Sequence, residues 1–159
     1  MTDDLVSVRL IGIPVPLVLQ AREHWDSLIR ELAIIALDAR PSERSHVPNR
    51  LSAIARLLGR EYAHLLTRDL DAVDAALESD EDTFDLSYDV PPAGRALCIE
   101  LDGLLEEADA YCRDEKLLTP SASAEIRAYR RWVYAEFIRQ IDGEPPTPWP
   151  NARERYLVV

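Results

Sequence analysis

Apolar and polar positions divide the chain into segments of two different periods. Leu5, Val6, Val8, Leu10, Ile11 and Ile13 precede Pro14, a run rich in β-branched residues that predicts an extended arm over residues 1–15. From Pro16 the period lengthens: Leu17, Ala21, Trp25, Leu28, Leu32, Ile35 and Ala36 recur three and four positions apart and line one face of a helix over 16–38. Arg40-Pro41-Ser42 breaks it. Leu51, Ile54, Leu58, Tyr62, Leu65, Leu66, Val73 and Leu77 mark a long second helix over 48–79, with Pro48 in its first turn. Leu97, Leu101, Leu104, Leu105, Ala108, Tyr111 and Cys112 predict a third helix over 92–114, opened by Pro91-Pro92. Ile126, Tyr129, Val133, Phe137 and Ile141 predict a fourth over 120–142, with Thr119 or Ser121 as the capping hydroxyl and Gly143 as the C′ residue.

Between the second and third helices, Phe84, Leu86 and Tyr88 alternate with Asp85, Ser87 and Asp89, the period of a half-buried strand. Pairing residues 8–13 with 84–88 spares each segment an open edge. After Gly143, the prolines at 145, 146, 148 and 150 are expected to forbid further helix, so residues 144–159 read as a Pro-rich tail whose apolar end docks on the body. The expectation is one domain over residues 1–159, all-α: an antiparallel four-helix bundle with a short extended N-terminal segment.

Charge sharpens this picture. Eighteen Lys and Arg against 29 Asp and Glu give a net charge of -11, which repels phosphate backbones and anionic headgroups, so nucleic acid and membrane surfaces are not expected partners. The excess is local: residues 60–112 hold fifteen acids and only Arg60, Arg68 and Arg95, whereas the segments on either side are nearly balanced. Residues 10–19 lack the basic flank and cleavage site of a signal peptide. Cys98 and Cys112, 14 positions apart on one predicted helix and so about 21 Å apart, cannot bond to each other. Together these features point to a reducing, cytoplasmic setting.

Candidate chemistry is sparse. Glu61 and His64 satisfy the Glu-x-x-His spacing of a carboxylate-bridged di-iron bundle, but the second match, Glu43 to His46, falls in a proline-bounded loop. His24, flanked by Glu23 and Asp26, has the setting of a phosphoacceptor without the longer signature. There is no Gly-x-Ser-x-Gly turn and no glycine-rich phosphate loop, and Asp80, Asp82 and Asp85 lack the glycine and terminal glutamate of a calcium loop. No cofactor is implied. The fourth helix is richer: Arg127, Arg130, Arg131, Trp132, Tyr134, Glu136, Arg139 and Gln140 surround its apolar stripe, and arginine with aromatics is the composition of binding hot spots.

Residues 104–113 (Leu-Leu-Glu-Glu-Ala-Asp-Ala-Tyr-Cys-Arg), Leu117-Leu118-Thr119-Pro120, Tyr129-Arg130-Arg131-Trp132, Glu136-Phe137-Ile138-Arg139-Gln140 and Pro146-Thr147-Pro148-Trp149-Pro150, with Val8 to Val15 and Ala21-Arg22-Glu23-His24 at the start, carry a resemblance. The chain resembles an uncharacterised actinobacterial family of small helical companions of partner-switching regulators, the group of STAS-domain antagonists, serine-kinase-like anti-sigma ATPases and PP2C-type phosphatases. The resemblance implies a regulatory setting and no catalytic residue. The expected function is therefore a non-enzymatic regulatory or adaptor protein that binds another protein, and a second copy of itself as well. Arg127, Arg131, Trp132, Arg139, Asp109 and Arg113 are the expected contact residues, and the acidic stretch from Asp69 to Asp89 attracts a basic partner. The alternative is a small-ligand-binding or metal-dependent bundle, with Glu61 and His64 on the metal.

Overall fold

The computed structural model describes residues 4–37, 53–54, 56–57 and 70–157. Within them β1 (Val6–Pro14) runs directly into α1 (Val15–Leu37), and α2 (Leu70–Glu78) precedes β2 (Thr83–Val90). α3 (Gly94–Arg113), α4 (Ala124–Ile141) and a terminal α5 (Trp149–Tyr156) follow.

The two strands pair antiparallel, with Val8 opposite Tyr88, Leu10 opposite Leu86 and Ile13 opposite Phe84. This sheet corrects the all-α expectation: the fold is mixed α and β, not a four-helix bundle. The reason is that β1 is not an arm laid on a bundle. Its Leu10 and Ile13 join Phe84 and Leu86 of β2 in one apolar core, and Val8 is buried as well. Between Leu10 and Ile13 the register slips. The extra residue is accommodated at Gly12, whose φ of +75° is open to glycine at no steric cost, and whose amide donates to Asp85 Oδ1 at 2.8 Å. A Cβ at Gly12 would lie 3.0 Å from Pro150 Cδ, so the bulge also seats α5.

α5 overturns the second expectation, that prolines exclude helix from the tail. Pro148 serves as its N-cap and Pro150 stands in the first turn, where a missing amide costs nothing. What holds this short helix is Trp149, 1% exposed, in edge contact with Trp132 and Tyr129. The fourth helix starts later than expected: Ser123, not Thr119 or Ser121, caps it, accepting from the Ile126 amide at 3.2 Å. Thr119 instead donates to Glu31 Oε2 at 2.5 Å, tying the α3–α4 loop to α1. Gly143 has the positive φ expected of a C′ residue, +93°. Of the expected helix over 48–79, residues 53, 54, 56 and 57 and the span Leu70–Glu78 are helical; the rest lies outside the described residues.

Among the described residues the apolar side chains gather in two cores. One gathers β1, β2, the start of α1, α4 and α5 around Trp132 and Trp149. The other gathers Leu28 and Leu32 of α1 with Leu101, Leu104, Leu105, Ala108 and Cys112 of α3. α1 spans both, and Trp25, midway along it, packs against each. No helix among the described residues is long and apolar enough to cross a membrane.

Candidate functional site

Where the two cores meet they do not close. A cavity of about 560 Å³ lies between α1, β2, α3 and α4, within the ~300–1,000 Å³ usual for small-molecule sites. Val18, Ala21 and Trp25 form its α1 wall, Leu97 and Leu101 its α3 wall, Val133 and Phe137 its α4 wall, and Tyr88 the strand side, its ring 5.3 Å from that of Phe137. Sequence reading places Val133 and Phe137 on the core stripe of the fourth helix, but the buried face of α4 is turned by about one residue. It holds Ile126, Tyr129, Trp132, Glu136 and Gln140, leaving Val133 and Phe137 half-buried against the cavity. The turn was hidden because Glu136 and Gln140 are polar and read as solvent positions.

Among the described residues two cations stand on this largely apolar wall, Arg22 and Arg130, and of the two Arg130 is the buried one. Arg130 is 3% exposed, and its guanidinium carbon stands 5.7 Å from the centre of the Trp25 ring, a cation–π arrangement. Its Nη2 donates to Glu106 Oε2, and Nε lies 3.4 Å from Asp102 Oδ1. Nε and Nη1 have no hydrogen-bond partner among the described residues. Guanidinium carries five N–H donors and is never deprotonated, so unmet ones are costly to bury.

Glu106 is the hub of the charged seam between α3 and α4. It accepts from Arg127 at 2.7 Å and pairs with Arg130, with Arg131 at 3.6 Å and with Arg113 at 3.9 Å. Burial alone would raise its carboxyl, but the Arg127 hydrogen bond and the charges of Arg130, Arg127 and Arg131 outweigh that and hold it below the usual range. Asp109, 1% exposed, accepts from Arg113 at 2.6 Å and from the Ala122 amide at 2.7 Å. Asp102 departs the other way: burial raises its carboxyl more than Arg130 lowers it. Burial also pushes the His24 imidazole below its ordinary value, with Asp109 pulling upward and Arg130 downward. The Cys98 thiol on the cavity wall is pushed up to about 11 by burial and by Asp102, and burial raises the Tyr134 hydroxyl as well.

The expected contact residues therefore part company. Arg113, Arg127 and Arg131 are brought together around Glu106, and Arg113 and Arg127 also pair with Asp109, so their charges are engaged within the chain while their side chains stay partly exposed. Trp132 is 0% exposed and donates from Nε1 to the Thr147 carbonyl at 2.9 Å, so it presents nothing to a partner. Arg139 is bound to Glu136 at 2.5 Å, Glu144 at 2.8 Å and Thr147 at 2.8 Å. Burial would lower its guanidinium, and the Glu144 hydrogen bond with the Glu136 charge raises it instead. Glu61 and His64 lie outside the described residues, among which no three His, Cys, Asp or Glu side chains cluster as metal ligands. Reading the sequence missed Asp102 and Glu106 and did not single out Arg130. The available signal was the spacing of Asp102, Glu106 and Asp109 on one helix face, complementary to Arg127, Arg130 and Arg131 on the next.

Compared with known proteins, the sequence matches no family model, no curated protein and no solved structure.

Proposed function

We propose that this chain is a non-enzymatic binding protein for a small apolar ligand held in the cavity between α1, β2, α3 and α4. The observation that carries this reading is the cavity itself, walled mainly by aliphatic and aromatic side chains with a few polar groups among them, the make-up of ligand sites. The Cys98 thiol on its wall, which burial keeps protonated near neutral pH, is a poor nucleophile. The test is titration with N-phenyl-1-naphthylamine, a neutral dye that brightens in apolar surroundings. Saturable binding at one site per chain is expected, and filling the cavity with Ala21→Trp or Val133→Trp abolishes it while far-ultraviolet circular dichroism stays unchanged. Dye fluorescence that never saturates, or that survives both variants, defeats the reading.

The regulatory role through a protein partner keeps one support, from a surface other than the α4 arginines. Asp80, Glu81, Asp82 and Asp85 are exposed around the start of β2 and form an acidic face suited to a basic partner. Mass spectrometry of proteins that co-purify from the host cytoplasm tests this second reading. A captured partner that is lost on Asp80→Lys/Asp82→Lys supports it, and capture that is indifferent to those changes removes it.

A further inference from the structure

We infer that the cavity's ligand is a monocarboxylate with an apolar tail, its head group docked on Arg130. This rests on the ligand-binding reading above and adds the chemical class. Arg130 lines the cavity while 97% of it is shielded from solvent, and its relative exposure of 3% leaves no water shell to satisfy Nη1. Nη2 is committed to Glu106, and Nε faces Asp102 without a hydrogen bond. Trp25 covers the guanidinium at 5.7 Å. Nη1 is therefore the donor left for an acceptor that arrives from outside.

Charge selects the acceptor. Of the arginines in the ion-paired seam, Arg130 is the one that lines the cavity, and its buried guanidinium keeps its positive charge. Arg22 and Asp89, also on the cavity wall, offset each other. A carboxylate accepts from the Arg130 cation, and a hydrogen bond from a cation in a dry site is of the stronger, charge-assisted kind. A dianionic phosphate would bring a second negative charge against Asp102, whose own carboxyl burial already raises. Beyond the head group, Leu97, Leu101, Val133 and Phe137 offer only hydrocarbon, which fits an unsubstituted chain or ring.

The experiment compares decanoate, decanol and decylamine as competitors of N-phenyl-1-naphthylamine on the full chain. Decanoate is expected to displace the dye at a concentration at least about tenfold lower than decanol, since a charge-assisted hydrogen bond supplies that factor, and decylamine to displace it least. In the double variant Glu106→Gln/Arg130→Met, which leaves neither partner of the pair charged, the preference for decanoate over decanol disappears. Equal competition by decanoate and decanol overturns the carboxylate assignment and leaves the cavity reading standing. Absence of displacement by all three, with no dye binding, overturns the cavity reading itself.

Discussion

Gln140 treats the backbone of Arg9 as a neighbouring strand would. Its Oε1 accepts from the Arg9 amide at 2.8 Å and its Nε2 donates to the Arg9 carbonyl at 2.8 Å. Among the described residues β1 has only β2 as a strand neighbour, so its other edge would otherwise carry open donors and acceptors. Nε2 also donates to Glu136 Oε2 at 2.8 Å, and the same carboxylate oxygen accepts from the Thr147 amide at 2.9 Å, carrying the connection on to the approach to α5. One amide side chain thus joins the first strand to the C-terminal end of the described chain.

Replacing it should be costly in a defined way. Gln140→Ala removes three hydrogen bonds of about 1 kcal/mol each, a loss of roughly 2–3 kcal/mol in urea unfolding. Gln140→Glu should be worse, because a carboxylate meets the Arg9 carbonyl and the Glu136 carboxylate with no donor. Hydrogen exchange at the Arg9 amide is the local readout; protection equal to the parent protein's in Gln140→Ala would refute the clamp.

Glu106→Ala should cost about 3 kcal/mol, the low end of the ~3–5 kcal/mol for breaking a buried pair, because Arg130 stays charged and buried while about a third of Glu106 is open to solvent. Glu106→Ala/Arg130→Met should recover part of that loss. Chemical unfolding of the three proteins checks the order, and a double variant less stable than Glu106→Ala contradicts it.

Acidification should destabilise the fold through His24. Burial holds its folded pKa below the ordinary 6.5, so as pH falls through that value the unfolded chain takes up the proton first. The melting temperature is expected to hold from pH 8 to 7 and to fall between pH 7 and 5.5, less so in His24→Gln. Asp102 acts with the opposite sign at lower pH: its raised carboxyl protonates first in the folded protein, returning some stability as pH drops. Glu106, held low, then loses its contribution. Identical melting curves for the parent protein and His24→Gln across pH 7 to 5.5 would count against the His24 assignment.

Alkylation separates the two thiols. Both are pushed up to about 11 by burial, Cys98 on the cavity wall and Cys112 in the second core. Iodoacetamide at pH 8 should modify each about two orders of magnitude more slowly than a free cysteine, whose pKa is near 8.5. N-phenyl-1-naphthylamine should slow Cys98 further and leave Cys112 unchanged, as followed by peptide mass spectrometry. Protection of Cys112 with no effect at Cys98 would place the dye elsewhere.

Much of the local structure was legible in order along the chain, because periodicity is a property of neighbours. The extended pieces around Val8 to Ile13 and Phe84 to Tyr88, the helices around Trp25 and Leu104, and the C′ glycine at 143 follow from spacing and backbone freedom alone. The candidate site was not legible in that way. Its wall is taken from four elements, and its decisive cation lies on a helix where arginine is indistinguishable, by sequence, from a solvated residue.

By itself the sequence determined the extended pieces around Val8 to Ile13 and Phe84 to Tyr88, the helices around Trp25, Leu104 and Tyr129, and the concentration of acids in the middle third. Tertiary structure decided what those acids are for: Asp102, Glu106 and Asp109 neutralise α4 across the seam. It also decided that β1 is core, that proline opens α5, and that Glu136, Gln140 and Arg130 are inside. The physical reason is that a polar group is buried only where another part of the chain meets its hydrogen bonds or charge. Such partners, 131 positions apart for Arg9 and Gln140, are known only once the chain has folded.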